Sequence, residues 1–302
     1  MRVLISGGAG FIGSHLAEAM LEEGHRVSVL DDVSTGRVEN VPLEADLTIG
    51  DIRDHFKFPR ERWDVIYHCA ASYKDRGEWE RDASTNVLGT INVVREAQRT
   101  GAKLIYFQTS LCYGLAPHSP ITLDAPLAPT GSYAVSKTAG ENYIRDSGVE
   151  FVSLRLANIY GPRNLSGPIP AFYKRLSEGQ ECTVVDSRRD YVYIDDLLRV
   201  AVRAATQGRG FYHVSSGFDV SIMDIYQGVA QAMGIDAPLP FLQPRGLDDA
   251  ATLLLDPNET YLEFGWTART PMVRGINEAV RWYRSNPVGD VYTHLKVAEG
   301  VR

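Results

Sequence analysis

Three side chains in the middle of the chain have the types and spacing needed to take a proton from an alcohol. Tyr133 and Lys137 are four residues apart, so on a helix they lie one turn apart on the same face. There the Lys137 ammonium would lower the pKa of the phenol and favour the phenolate. Thr109 follows an apolar strand, and its hydroxyl could orient or relay a proton between Tyr133 and a substrate. Together the three side chains predict a site that oxidises a C–OH group.

A tyrosine and a lysine at this spacing also occur by chance on many helices, so independent evidence is needed. Residues 1–30 predict a strand, a glycine-rich turn, a helix and a second strand. The strand 2–6 is apolar without alternation, which is typical of a parallel strand buried on both faces. Glycines in such a turn allow a pyrophosphate to approach bare backbone at a helix N-terminus. The residues of this predicted cofactor turn are Gly7, Gly10, Phe11, Ile12 and Gly13.

The second strand ends on two acids, Asp31 and Asp32, that we predict to contact the same cofactor. Asp31 is placed to accept hydrogen bonds from the ribose hydroxyls of an adenosine, and its charge would repel a 2′-phosphate. We therefore predict NAD rather than NADP as the cofactor. Arg37, a little further along, is interpreted as a solvated loop residue rather than a clamp for a 2′-phosphate.

Two further strand ends predict contacts to this cofactor. Asp51 and Ile52 follow the third strand, where they would contact the adenine; a cap before Arg53 is an equally good interpretation of Asp51. Ala70 lies among small residues after the fourth strand, which let a backbone pass close to a ligand. His68 has no carboxylate partner in the sequence and is interpreted as a packed strand residue.

Length and composition narrow the function classes. The 302 residues are 44% hydrophobic and 10% aromatic, as in globular proteins, and a net charge of −7 without a basic run argues against nucleic-acid binding. No apolar stretch reaches the roughly 20 residues of a membrane span, and a chain that begins with a strand leaves no room for a signal peptide. Cysteines at 69, 112 and 182 lack metal-ligand spacing, so we expect reduced thiols, no metal and a cytoplasmic location.

Strands alternate with helices along most of the chain, which predicts an α/β protein with a doubly wound parallel (Rossmann) sheet and a smaller C-terminal α/β substrate domain. We assign residues 1–165 to the NAD-binding domain, with strands near 190–215 returning to it, and residues 166–302 mainly to the substrate domain. One long helix is predicted over 79–100. Asn86 inside it is either solvated or hydrogen-bonded in the interior, and the pattern does not decide between the two.

Taken together, these motifs resemble the extended short-chain dehydrogenase/reductase family of NAD-dependent nucleotide-sugar epimerases and dehydratases. The similarity covers nearly the whole chain, and within the family it is greatest to UDP-hexose 4-epimerases of bacterial polysaccharide pathways. It rests on the glycine turn, Asp31, Thr109 with Tyr113-Gly114, Tyr133 with Lys137, Asn158 with Gly161-Pro162-Arg163, and Arg189-Asp190-Tyr191.

The resemblance implies roles for individual residues. Thr109, Tyr133 and Lys137 match the catalytic residues, and the last two also contact the NAD of such enzymes. The residues that match contacts to a nucleotide sugar, expected to be UDP-linked, are Asn158, Arg189 and Asp249. A homodimer is also expected.

Two cationic residues that do not clearly match the family's motifs bear on the charge of the substrate. Lys74 follows the fourth strand and Arg163 opens the second domain, so together they could accept a C6 carboxylate. That hypothesis makes a UDP-hexuronate the substrate instead of a UDP-hexose.

One departure from the family separates reaction types. Family members that are 4,6-dehydratases carry Asp-Glu directly after the catalytic threonine, since expelling the C6 hydroxyl needs an acid and removing the C5 proton needs a base. This chain has Ser110-Leu111 there, and no second proton acceptor is identified. We therefore predict a UDP-hexose 4-epimerase that acts through a transient 4-keto sugar. Dehydratase, decarboxylase and 2-epimerase remain alternatives, as does an inactive dinucleotide-binding regulator.

Overall fold

A computed structural model of the protein describes residues 1–73, 78–246 and 250–291. The strands within these ranges are β1 (Arg2–Ser6), β2 (Arg26–Asp31), β3 (Asp46–Ile49), β4 (Val65–His68), β5 (Lys103–Thr109), β6 (Phe151–Leu156), β7 (Asn158–Tyr160), β8 (Thr183–Val185), β9 (Arg188–Tyr193), β10 (Gly210–Val214), β11 (Asp219–Ser221), β12 (Phe241–Gln243) and β13 (Thr252–Leu253). The helices are α1 (Phe11–Glu22), α2 (Trp79–Asp82), α3 (Thr90–Thr100), α4 (Ser132–Asp146), α5 (Pro168–Ser177), α6 (Ile194–Ala204), α7 (Ile222–Met233), α8 (Asn258–Phe264) and α9 (Met272–Ser285).

Seven parallel strands form the main sheet, in the order β3-β2-β1-β4-β5-β6-β10. The predicted doubly wound parallel sheet is thus confirmed. The strand order reverses between β1 and β4, and ligands of such sheets bind outside the carboxyl ends of the strands at that point. The sequence motifs at the ends of β1, β2, β4 and β5 therefore lie at one edge of the sheet.

Both faces of this sheet are covered, which explains why its strands lack an alternating pattern. On one face Val3 and Ile5 of β1 join the core that contains α1 and α6. On the other face Leu4 of β1 and Leu104 of β5 pack with residues of α3 and with Ile144 of α4. The helix that carries Tyr133 and Lys137 is therefore held against the sheet by an apolar core.

The predicted helix over 79–100 is helical throughout but not a single α-helix. A π-helical segment, Ala83–Gly89, separates α2 from α3. Asn86 lies in this segment and is buried, with its side-chain amide hydrogen-bonded to Ser72 and Ser136. Of the two interpretations of Asn86, the structure thus shows the hydrogen-bonded one. π-Helical turns are frequent at functional sites.

A second sheet is built around β9, which pairs with β7 and β13 in parallel and with β11 in antiparallel orientation. The strands expected near 190–215 are thus divided between the two sheets, with β9 in the second one. β10 does lie in the main sheet, beside β6. The domain boundary near residue 165 stays a prediction.

The last helix of the described residues is α9, and its apolar residues Ile276, Val280 and Tyr283 are buried. It packs with α5 and α7 beside the second sheet. Within residues 1–73, 78–246 and 250–291, no helix has the length and apolarity required to cross a membrane.

A glycine on α4 tests how closely this helix must approach the π-helical segment. A Cβ added at Gly140 would lie 2.6 Å from the backbone oxygen of Asn86, so Gly140→Ala should lower the free energy of unfolding by about 1–3 kcal/mol. Gly228→Ala on α7 is the control, because its Cβ would meet only the flexible Ile276 side-chain tip at 3.0 Å. The control should be neutral or stabilising, since alanine is favoured over glycine in helices. Urea denaturation measures both variants, and equal effects would contradict the prediction.

Candidate active site

A cavity of about 960 Å³ lies where the strand order reverses. This volume is at the upper end of the range for ligand sites, about 300–1,000 Å³. Its lining brings together most of the predicted site residues, namely Gly7, Gly10, Phe11, Ile12, Gly13, Asp31, Asp32, Asp51, Ile52, Ala70, Thr109, Tyr133, Lys137, Asn158 and Arg189. The other two, Lys74 and Asp249, lie outside the described residues.

The glycine turn between β1 and α1 leaves no space for side chains. Gly7 has φ +74°, and a Cβ there would lie 2.5 Å from the backbone nitrogen of Ala70. A Cβ at Gly13 would lie 2.2 Å from the oxygen of Gly7. α1 begins directly after Gly10, which offers no side-chain cap, so the helix N-terminus presents backbone N–H groups at the cavity. This arrangement fits the pyrophosphate of NAD.

Asp31 is buried at the end of β2, with its carboxylate oriented by the backbone. Oδ2 accepts a hydrogen bond from the Ala9 nitrogen (2.9 Å), and Oδ1 accepts one from the Val33 nitrogen (2.8 Å). Burial raises the pKa of this carboxyl. Asp32 beside it is exposed and accepts hydrogen bonds from Ser34. The carboxylate of Asp31 is thus anchored to the glycine turn at the edge of the cavity.

Asp51 and Ile52 also line the cavity, but Asp51 is turned toward its own loop. Its carboxylate accepts from the Arg53 backbone nitrogen (2.8 Å) and from the Arg53 Nε (2.7 Å), and these hydrogen bonds lower its pKa against the opposing effect of burial. Asp51 therefore closes a turn with Arg53 and does not cap a helix, since the next helical segment, 55–57, is capped by Asp54. Ile52 is buried, and a Cβ at Gly89 would lie 2.5 Å from its Cδ1. Contacts of either residue to an adenine stay a prediction.

The three proposed catalytic side chains meet at the cavity from two elements. Thr109 is the last residue of β5, and its Oγ1 accepts a hydrogen bond from the Leu111 nitrogen (3.2 Å). Tyr133 lies in the first turn of α4, and Lys137 follows one turn later. Lys137 Nζ lies 3.9 Å from the centroid of the Tyr106 ring, whose hydroxyl donates to the Lys137 carbonyl oxygen (2.9 Å). β5 therefore fixes both the threonine and the position of the lysine.

The protonation of this pair differs from the sequence-based expectation. Burial raises the pKa of Tyr133, and the nearby Tyr73 and Asp82 raise it further. The predicted lowering of the phenol pKa is therefore wrong for the protein alone, because burial and the two neighbouring groups all raise it. Burial also lowers the pKa of Lys137 to about 7, against the opposing effects of Cys69 and Glu141. A phenolate at position 133 thus requires additional positive charge beside the ring.

Asp82 is a cavity residue that the sequence did not reveal. It is buried at the end of α2, and its Oδ1 accepts a hydrogen bond from Ser72 Oγ (2.7 Å). The conclusion that no second proton acceptor is identifiable therefore needs correction, since Asp82 lies close enough to act on Tyr133. Its position four residues before Asn86, on the same side of a predicted helix, was the available signal.

Two of the predicted sugar-nucleotide contacts lie on strands of the second sheet. Asn158 donates from Nδ2 to the Asp190 oxygen (3.0 Å), and Arg189 donates from Nη1 to the Ala250 oxygen (2.9 Å). Both residues line the same cavity as the glycine turn. Their predicted contacts to a diphosphate remain predictions.

Arg163 forms an ion pair with a residue of α1. Its Nη2 lies 2.6 Å from Glu18 Oε1, and its Nη1 donates to Ser14 Oγ (3.2 Å). The hypothesis that Arg163 binds a C6 carboxylate with Lys74 is therefore weakened, because Glu18 already neutralises the guanidinium.

Two residues with chemically capable side chains are packing residues, as expected for His68. His68 is fully buried and hydrogen-bonded to Ser6 Oγ (2.8 Å) and Thr90 Oγ1 (2.9 Å), and burial lowers its pKa. Cys112 is also fully buried, and burial raises the pKa of its thiol.

Comparison with known proteins identifies the family. The model of the NAD dependent epimerase/dehydratase family matches residues 3–215. The chain belongs to this family. Its relatives include the UDP-glucose 4-epimerase of Mycolicibacterium smegmatis, which is 30% identical in an alignment that covers 94% of this chain and 99% of the relative. The fold and the glycine turn are therefore those of an NAD-dependent enzyme.

Two solved structures from Bordetella bronchiseptica are closely similar. The enzyme WbmH in complex with NAD⁺ is 43% identical, with a TM-score of 0.90 over 94% of this chain and 98% of that one. The enzyme WbmG in complex with NAD and UDP is 40% identical, with a TM-score of 0.90 over 98% of each chain.

The role of Asp31 in cofactor choice is testable. Asp31→Ser removes the carboxylate that would accept hydrogen bonds from the ribose and repel a 2′-phosphate. NAD should therefore bind about 10-fold more weakly, and the preference for NAD over NADP should shrink. Asp46→Ser is the control, because it removes an exposed carboxylate from the neighbouring strand β3. Titration calorimetry gives both dissociation constants, and an unchanged NAD/NADP ratio in Asp31→Ser would refute the assignment.

Proposed function

We propose that the protein is an NAD-dependent nucleotide-sugar 4-epimerase whose substrate is a UDP-hexose. The observation that carries this proposal is that Thr109, Tyr133 and Lys137 line the same cavity as the glycine turn, whereas Ser110 and Leu111 follow the threonine. Neither of these two side chains provides the carboxylates that elimination of a C6 hydroxyl needs.

The proposed reaction uses few groups of the protein. NAD, when bound, supplies the acceptor and then the donor of the hydride at C4. Tyr133 takes the proton of the C4 hydroxyl and returns it after the 4-keto sugar has turned over in the cavity. Thr109 orients this hydroxyl, and the ammonium of Lys137 favours the phenolate form of Tyr133. The net result is inversion at C4 with no change in oxidation state.

The choice of a UDP-hexose has separate support. Relatives that span nearly this whole chain are named UDP-glucose 4-epimerases, and a structure 40% identical holds NAD and UDP. Asn158 and Arg189 line the part of the cavity in the second sheet, where they would contact the UDP diphosphate. Because Arg163 is paired with Glu18, a C6 carboxylate has less support than a neutral C6 hydroxyl. Polysaccharide biosynthesis, a cytoplasmic location and a homodimer remain predictions.

Dehydration is the second candidate, and Asp82 is the observation that favours it. This carboxylate lies in the cavity close enough to affect Tyr133, so it is a possible base for a C–H proton. Its Oδ1 is occupied by Ser72, whereas the family's elimination pair would follow Thr109 directly. The presence of Thr109, Tyr133 and Lys137 in one cavity argues against the other alternative, an inactive dinucleotide-binding regulator.

Tyr133→Phe tests the proposed base. The substitution keeps the buried ring and removes the proton acceptor, so turnover should fall by about 10²-fold or more while NAD still binds. Tyr143→Phe is the matched control, since Tyr143 lies on the same helix with its ring exposed to solvent. Steady-state kinetics and NAD titration separate the two effects. Near wild-type turnover of Tyr133→Phe would eliminate this tyrosine as the base.

Hydrogen tracing in D₂O separates epimerisation from its alternatives. If the C4 hydrogen leaves and returns within one complex, it never exchanges with solvent, and the inverted sugar should contain no carbon-bound deuterium. Elimination across C5–C6, or epimerisation through C–H deprotonation, brings a solvent-derived hydrogen onto carbon. NMR and mass spectrometry of products from a panel of UDP-, dTDP-, GDP- and CDP-sugars give the answer. Deuterium on carbon, or loss of water, would instead implicate Asp82.

A further inference from the structure

Glu141 lies one turn after Lys137 on α4 and is almost completely buried. Its Oε1 accepts hydrogen bonds from Ser153 Oγ (2.5 Å) and Arg155 Nε (3.2 Å). Its Oε2 lies 2.9 Å from Arg155 Nη2. The carboxylate is therefore held in one orientation by charge-assisted hydrogen bonds from β6.

Arg155, which forms an ion pair with Glu141, is itself held by a chain of hydrogen-bonded neutral groups. Arg155 Nη1 donates to the Tyr113 hydroxyl (2.7 Å), which in turn donates to His213 Nε2 (2.6 Å). His213 donates from Nδ1 to the Asp256 oxygen (2.9 Å), an assignment that satisfies both ring nitrogens. Burial lowers the pKa of His213 to about 4 and raises that of Tyr113 to about 12. At neutral pH the charges of the network are thus those of Glu141 and Arg155.

Most titratable groups around Lys137 are also neutral at neutral pH. The titratable groups that face it are His68 and Cys69 of the β4 end, Tyr106 of β5, and Tyr133 and Glu141 of α4. Burial lowers the pKa of the histidine and raises the pKa of the thiol and of both phenols, so these four groups are neutral at neutral pH. Among the described groups facing Lys137, Glu141 is the one that carries a charge.

We propose that Glu141 is a positioning residue of the reaction, whose carboxylate, fixed by Arg155 and Ser153, keeps Lys137 in its ammonium form. The effect on catalysis rests on the proposed function, because it acts through the phenolate of Tyr133. A buried ion pair is commonly no more stabilising than a well-packed apolar pair, so stability alone gives little reason for it here. Opposite charge near a desolvated lysine, in contrast, directly favours the charged form.

Glu141→Gln removes this charge and keeps the shape of the side chain. We expect the titration midpoint of Lys137 to fall by about one pH unit, because the ammonium loses an opposite charge one helix turn away. NMR of ε-¹³C-lysine protein measures the midpoint, with the Lys137 signal identified by its loss in Lys137→Met. Glu96→Gln is the matched control, since Glu96 is equally buried and paired with Arg99 on α3. A Lys137 midpoint no lower in Glu141→Gln than in the control would overturn the proposal.

A double variant, Glu141→Gln with Arg155→Met, covers the case in which the single variant fails to fold around an unpaired guanidinium. It removes both charges, so we expect a smaller fall of the Lys137 midpoint in the same direction. A midpoint equal to that of the wild type would count against the proposal.

Kinetics then test the link to the reaction. Loss of the ammonium with rising pH should make the turnover of Glu141→Gln, relative to wild type, fall between about pH 5 and 8 and then level off at about one tenth. The KM for the sugar nucleotide should stay unchanged, and Glu141→Asp should restore part of the turnover. A purely structural role would instead give a constant ratio across pH, which would overturn the proposal. The NMR titration of Lys137 does not depend on turnover. A wild-type protein without activity would therefore refute the proposed function, while the Lys137 midpoint would still test the role of Glu141.

Discussion

The removal of Lys137 from water is the constraint on which the rest of the site depends. A buried ammonium loses its hydration, and the lowered pKa of about 7 expresses that loss. The ring of Tyr106 lies under the ammonium, and its hydroxyl holds the helix backbone beside it. This geometry requires α4 to lie close to β5 and to the π-helical segment, which the missing side chain of Gly140 permits. Packing of the sheet therefore determines the charge state of the reacting pair.

The parts of the site that could be predicted from sequence are those whose partners are near one another along the chain. The glycine turn and Asp31 belong to one strand–helix–strand unit, and their spacing follows from its geometry. Tyr133 and Lys137 share one helix turn, so four residues of separation place them together. The doubly wound sheet follows in the same way from the alternation of strands and helices.

The remaining features depend on contacts between distant residues or on burial, which spacing does not reveal. Tyr113 and His213 are 100 residues apart, and only the parallel order of β5, β6 and β10 brings them together. The direction of the Tyr133 pKa shift was wrong for the same reason, since spacing shows the lysine but not the loss of water. The sheet to which β9 belongs also cannot be recognised from its sequence, because it depends on pairing with β7.

The reaction type depends on carboxylates, whereas the fold supplies what all members of the family share. β1 and α1 hold the cofactor, and β5 and α4 hold the threonine, tyrosine and lysine, so neither pair of elements distinguishes epimerisation from elimination. The distinction lies with acids beside the base: the position after Thr109 has none, and Asp82 approaches from the π-helical side. Its negative charge raises the pKa of Tyr133, which opposes formation of the phenolate. A carboxylate in that place makes the ammonium of Lys137 more important, and it explains why a fixed carboxylate behind the lysine, Glu141, has a role in the same reaction.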